Sequence, residues 1–194
     1  ALPATVHGGM AQAARVEGNV MVGRRGTDEF GGVAIANQLI FVFNLCIFGG
    51  LSGAGIFSAQ FSGKNDVDGM RHVLRFKLYF VIAASVLGIL ILHFFGSPLI
   101  SLFLHEGSEE GDLVKTLNFG LDYLKIMLIG LPLYAVSQCY ASSLKETGET
   151  FIPMIGSGTA VLVNLAFNYI LIFGKFGFPV MGVKGAAIAT VLSR

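Results

Sequence analysis

FGGVAIANQLIFVFNLCIFGGLSGAGIFSAQFSG, residues 30–63, holds no Asp, Glu, Lys or Arg over 34 positions and lies between Glu29 and Lys64. A chain of 194 residues cannot hide that much apolar surface in a soluble core. A helix that crosses the hydrocarbon of a bilayer needs about 20 apolar residues, so the stretch reads as a membrane span. Three further runs repeat the pattern. Residues 78–104 carry no charged side chain except His93, residues 126–144 are uncharged over 19 positions, and residues 150–174 over 25. In lipid every backbone polar group must find its partner within the protein, and continuous apolar runs specify helices in place of the alternation of a barrel. The fold class is therefore all-α integral membrane.

Composition agrees. Hydrophobic residues make up 54% and mean hydropathy is +0.72. Charged residues make up 13%, about half the roughly 25% of soluble domains. A formal net charge of +1 argues against a nucleic-acid partner, since phosphate binding needs clustered Lys and Arg. Cys46 and Cys139 both fall inside apolar spans and read as small buried hydrophobes, neither a disulfide nor a metal pair. His7, His72, His93 and His105 show no metal-ligand spacing, and no nucleophile–base constellation is visible. No cofactor and no enzymatic activity are expected.

Six helices are expected, at about 1–22, 31–62, 78–95, 121–144, 151–173 and 185–194. The first is polar for a span, with His7, Gln12, Arg15, Glu17 and Asn19. An Arg at mid-helix costs about 2.5–3.5 kcal/mol on insertion, so this helix would need neighbours around a wet cavity. Residues 64–77 form a charged link, and Gly96-Ser97-Pro98 ends the third span by turn chemistry, with 99–104 a short interfacial piece. Residues 105–115 form an acidic loop. Pro132 is expected to kink the fourth span. The sixth helix starts after Lys184 and stops too soon to cross, which reads as a truncation inside a larger membrane protein. Lys64, Arg71, Arg75 and Lys77 are the densest basic cluster, and positive-inside bias places their link in the cytoplasm.

The polar residues within the spans are the candidate pathway. Asn164 and Asn168 are four apart and share a helical face. They serve either as interhelical hydrogen bonds of about 0.6 kcal/mol each or as groups facing a substrate or ion. Asn37 and Asn44 share a face of the second span, with Gln60 near its end. Tyr134, Ser137, Gln138 and Tyr140 cluster beyond Pro132, with packing as the first reading. Gly49, Gly50, Gly53 and Gly55 would let backbones approach. Glu17 is the one acid deep in the expected bundle; desolvation would make its protonation a switch, whereas its neighbour Arg15 would hold it ionised. Asp122 and Lys125 read as an interfacial ion pair.

Val20-Met21-Val22-Gly23, Gly26-Thr27-Asp28-Glu29 leading to Ala34-Ile35-Ala36-Asn37, Gly148-Glu149-Thr150 to Pro153-Met154, the run 164–174 and the run 182–190 stand in an order and spacing that resembles the multidrug and toxic compound extrusion (MATE) transporters. The resemblance covers nearly the whole chain. It implies one six-helix lobe, the N-terminal half of a two-lobe, twelve-helix transporter, with a C-terminal lobe missing here; internal repeats of this kind are common in transporters. It implies a multi-pass protein of the bacterial plasma membrane. The function implied is a secondary antiporter that exports small drug-like, lipophilic or cationic compounds in exchange for protons or sodium ions by alternating access. Alternatives are a lipid-linked precursor flippase of the same superfamily and a non-transporting truncated fragment. By the resemblance, Gly18 stands where the family's first helix usually carries Asp, Asn164 matches the family's lobe-pocket Asn, and Asn168 falls where members carry Asp or Asn. The candidate pathway residues are Glu17, Asn37, Asn44, Tyr134, Gln138, Asn164 and Asn168.

Overall fold

The computed structural model describes residues 26–107, 113–174, 177 and 179–194. Among these there are five helices: α1 (Thr27–Gly63), α2 (Val67–Gly107), α3 (Leu113–Glu146), α4 (Phe151–Phe173) and α5 (Val183–Leu192). They correspond to the second to sixth expected helices. The expected first helix, with Arg15, Glu17 and Gly18, lies outside the described residues, as does the centre of the acidic loop. Four of the five, α1 to α4, are long and apolar enough to cross a membrane.

Most of the helices are longer than their charge-free runs. α1 starts at Thr27, and Asp28 and Glu29 occupy its first turn, where carboxylates complement the helix dipole. The expected link 64–77 shrinks to Lys64-Asn65-Asp66. Asn65 takes the left-handed conformation at φ 55°, which Asn tolerates better than most residues. The Asp66 carboxylate then accepts a hydrogen bond from the Gly69 N–H at 2.9 Å, an N-cap that starts α2. The stop expected at Gly96-Ser97-Pro98 does not occur, because α2 continues with Pro98 inside it. Ile100 and Leu104 beyond that proline are buried in the core, and their burial outweighs the local turn chemistry. Pro132 likewise lies within α3. α4 occupies the expected 151–173 and ends on Gly174, left-handed at φ 65°, whose N–H bonds the Ile170 carbonyl.

The core is a block of α1, α2 and α3, each in contact with the other two. Val33, Ala36, Ile40, Phe43 and Ile47 of α1 meet Val81 of α2 and Leu124, Met127 and Leu131 of α3 in one buried cluster. α1 and α3 touch backbone to backbone: a Cβ at Gly32 would lie 2.7 Å from the Gly120 nitrogen and 2.5 Å from the Thr116 carbonyl oxygen. Of the four glycines expected at close approaches, Gly50 faces the Phe80 ring and Gly55 the Glu146 carboxylate, whereas Gly49 and Gly53 face open space. α2 turns Tyr79, Ile82, Val86, Leu90 and Phe94 outward, an apolar stripe suited to lipid. Cys139 is buried as expected, but Cys46 is exposed on the outside of α1, where a small apolar thiol meets lipid instead of core.

Two charge pairs differ from the sequence expectation. Lys77, assigned above to the basic link, is fully buried in α2 and paired with Glu146 at the end of α3. The Ser142 hydroxyl donates to the other carboxylate oxygen of Glu146 at 2.7 Å. Asp122 pairs with Lys184 of α5 at 3.2 Å in place of Lys125, which ties α3 to α5.

Candidate functional site

α4 meets the three-helix block only slightly. Its main partner is α5, which packs in turn on α3. Gly185 makes the first contact possible, since a Cβ there would lie 2.8 Å from the Leu171 backbone. Gly130 makes the second, since a Cβ there would lie 2.7 Å from a Val191 methyl. With α4 held off by α5, a cleft of about 1160 Å³ opens between α1, α3, α4 and α5.

Asn37, Asn44, Tyr134, Gln138, Asn164 and Asn168 all line this cleft. Ser137 and Tyr140 do so as well, so the cluster beyond Pro132 forms part of the wall. Gln60 is exposed and is not among the lining residues. Glu17 lies outside the described residues.

Asn164 and Asn168 form a connected pair. The Asn168 amide donates to the Asn164 carbonyl oxygen at 2.9 Å. The Asn164 amide reaches the Ser193 hydroxyl at 3.3 Å and the Thr190 hydroxyl at 3.5 Å. Those hydroxyls spend their own protons on the Thr190 and Ala186 carbonyls, so their lone pairs are left to accept. The chain of bonds ends at the Asn168 carbonyl oxygen, which is buried without a hydrogen-bond partner among the described residues. On the opposite wall the Tyr123 hydroxyl donates to the Asn37 carbonyl oxygen at 3.1 Å, and the Asn44 carbonyl oxygen is a second buried acceptor without a partner among the described residues. A buried lone acceptor costs about 1–3 kcal/mol. Two such acceptors beside one cleft are places where a donor or a cation would be held.

The sequence reading missed Tyr123, Thr190, Ser193 and Arg194. Thr190 lies in the last turn of α5 and Ser193 caps its end, a signal obscured by reading the last helix only as a broken span. The Arg194 guanidinium stands 4.3 Å from the centre of the Tyr134 ring.

A family model described as MatE matches residues 16–170. The chain belongs to the MatE family. Its relatives include the probable multidrug resistance protein NorM of Thermotoga maritima, 31% identical over 163 residues, covering 84% of this chain and 34% of that protein. The multidrug resistance protein PmpM of Pseudomonas aeruginosa is 30% identical over 174 residues, covering 88% and 34%. The MatE chain thus spans about a third of the length of these relatives. A solved MATE structure in the straight conformation superposes with a TM-score of 0.85 at 18% identity, covering 99% of this chain and 40% of that one. An outward-facing multidrug resistance MATE family transporter of the MOP superfamily gives 0.80 at 20% identity, with the same coverage. These likenesses show the fold: a helical, multi-pass membrane protein.

Proposed function

We propose that this MatE chain is the N-terminal lobe of a secondary antiporter. In this reading a second lobe completes a twelve-helix transporter in the bacterial plasma membrane. It exports lipophilic or cationic compounds in exchange for protons or sodium ions, and the two lobes rock to alternate access. The observation that carries the reading is the gathering of six polar span residues from three helices onto one cleft. Polar groups scattered for packing alone would be spent on separate helix contacts. The apolar wall between them, with Val33, Ile40, Val136 and Val161, suits a drug-like body, while Asn37, Asn44, Asn164 and Asn168 supply the few directional contacts such sites use. The names of the NorM and PmpM relatives support export of drugs.

Proton coupling in this lobe would fall to Glu17, because Gly18 cannot titrate and Asp122 is engaged with Lys184. The test is drug export by the full-length protein in membrane vesicles under an imposed proton or sodium gradient. Asn164→Ala should lower export at unchanged protein level. Glu17→Gln should abolish the proton-driven component. Unchanged export in Asn164→Ala refutes the cleft as the pathway, and unchanged proton-driven export in Glu17→Gln places coupling elsewhere.

A further inference from the structure

One face of α2 passes from charged to apolar along its length. Arg71, His72 and Arg75 are exposed on it, Phe76 and Tyr79 follow, and Ile82, Val86 and Leu90 continue it. These positions recur at steps of three and four residues, so they share one side of the helix. We propose that this face seats an anionic phospholipid, with its headgroup on Arg71 and Arg75 and its acyl chains along the stripe beyond Tyr79. No described residue of α2 lines the cleft, so the site stands apart from the transport pathway.

The two guanidinium groups are available to a headgroup. Arg71 meets Asp68 at 3.1 Å, but both side chains are more than half exposed, and pairs of that kind hold weakly. Arg75 enters no ion pair among the described residues. The neighbouring groups are engaged elsewhere. The Asp66 carboxylate accepts from the Gly69 N–H, His72 donates from Nδ1 to the Asp68 carbonyl at 2.7 Å, and Lys77 is buried against Glu146. Arg71 and Arg75 stand one turn apart, about 6 Å along the axis. Long side chains at that spacing can converge on one phosphodiester group and grip its oxygens as planar forks.

Depth selects a lipid over other occupants. Tyr79 lies one further turn along and is 73% exposed, an amphipathic ring of the kind that sits at headgroup level. Ile82 to Leu90 then covers about 12 Å, close to half of the roughly 30 Å hydrocarbon core, which is the depth of one leaflet. The basic, aromatic and apolar parts of the face thus match, in order, the headgroup, the ester level and the acyl chains of one molecule. A soluble anion has no use for the apolar stripe, and an apolar helix has none for two arginines at its end. Positive-inside bias puts this end of α2 in the cytoplasmic leaflet, whose anionic lipids attract basic segments beside the membrane.

The test places the full-length protein in nanodiscs of phosphatidylcholine with a minor fraction of phosphatidylglycerol, and native mass spectrometry counts the lipids that stay bound. Relative to supply, the wild type should retain phosphatidylglycerol over phosphatidylcholine by about tenfold or more. Arg75→Gln should lower that preference about fivefold, and Arg71→Gln with Arg75→Gln should bring it close to one. Tyr79→Leu should weaken it. Lys64→Gln removes a charge from the same end, but Lys64 stands before the start of α2, about 12 Å or more from Arg75 along the axis and beyond the roughly 8 Å screening length. It should leave the preference nearly unchanged. All of these side chains are exposed, so the variants leave the bundle intact. Equal retention of the two lipids by the wild type overturns the proposal. So does an equal loss in Lys64→Gln and Arg75→Gln, which would mean diffuse attraction to a charged surface. Disulfide crosslinking of Tyr79→Cys to a second copy, at the same yield with and without phosphatidylglycerol, would assign the face to a protein contact and overturn it as well.

Discussion

Removing Lys77 from its pair with Glu146 should loosen the α1–α2–α3 block more than any surface change. Lys77 has no exposed side-chain area and Glu146 has 15%. Breaking a buried pair by deleting one partner costs about 3–5 kcal/mol, because the other charge is left uncompensated. The two halves of the pair are not equivalent. After Lys77→Met, Glu146 keeps the Ser142 hydroxyl at 2.7 Å and its partial exposure, so the cost sits near the lower end, about 3 kcal/mol. After Glu146→Leu, a wholly enclosed ammonium loses its carboxylate, and the cost sits near the upper end, about 5 kcal/mol. Apolar replacement of both should recover stability to within about 1 kcal/mol of the wild type, since well-packed apolar groups substitute for buried pairs without penalty.

Cys139 provides the readout. It is fully buried and stands seven residues, about two helical turns, before Glu146. In full-length protein with Cys46 and any other reactive thiols replaced, the labelling rate of Cys139 reports how often this end of the block opens. A loss of 3 kcal/mol should raise that rate about 150-fold. The order expected is Glu146→Leu fastest, Lys77→Met next, and the double variant close to the wild type. Labelling of Lys77→Met at the wild-type rate would refute the reasoning. A double variant that labels as fast as the worse single one would do the same, since it would mean the charges matter separately and not as a pair.

Gly32→Ala should destabilise the bundle by about 1–3 kcal/mol, because its Cβ would meet the α3 backbone at Thr116 and Gly120; thermal unfolding in detergent checks this, with Gly49→Ala, which faces open space, as the neutral comparison. Asp122→Asn should change the same midpoint by less than about 1 kcal/mol, because the Asp122 and Lys184 side chains are 39% and 58% exposed and pairs of that kind are weak; a larger loss would mean the α3–α5 contact depends on charge. Asn168→Leu removes one lone acceptor and leaves another on Asn164, so stability should stay within about 1 kcal/mol while drug export falls; export at the wild-type rate would show that Asn168 is a packing residue.

The membrane class and the position of α4 were legible because both follow from uninterrupted apolar composition. A charge-free run measures the thickness of hydrocarbon, however, and not the length of a helix. That is why α1, α2 and α3 extend past 31, 78 and 121 into charged sequence. One correction was available in the chain itself: Asp66, placed before Val67 and with Gly69 three residues on, is an N-cap signal. Pro98 was read as a stop because local chemistry was weighed without the buried Ile100 and Leu104 beyond it. The amides of the cleft could be nominated, since a polar group in an apolar span stands out. Lys77 and Glu146 could not be paired, because 69 residues separate them and each lies beside a charged segment that supplies an innocent reading.

The same contrast explains why the cleft lies where it does. α1, α2 and α3 are fixed to one another by backbone contact at Gly32 and Gly120, by the buried pair of Lys77 and Glu146, and by a continuous apolar cluster. α4 has neither the backbone contact nor the buried pair, joins the apolar cluster only at its end through Ile172, and is held to the block mainly through α5. The α5 contacts are built on small residues at Gly130 and Gly185 and on one exposed ion pair. The polar side chains of α4 therefore face a gap and not a helix, and the hydroxyls of α5 satisfy one of the two amides. A side chain added at Gly130 or Gly185 would act on the width of the cleft before it acted on the block. Gly130→Val should accordingly alter which compounds are exported at protein levels and Cys139 labelling rates close to the wild type. Cys139 labelling that rises as far as it does in Lys77→Met would show that α5 and the block open as one unit, and the division into a fixed block and a lighter pair would be wrong.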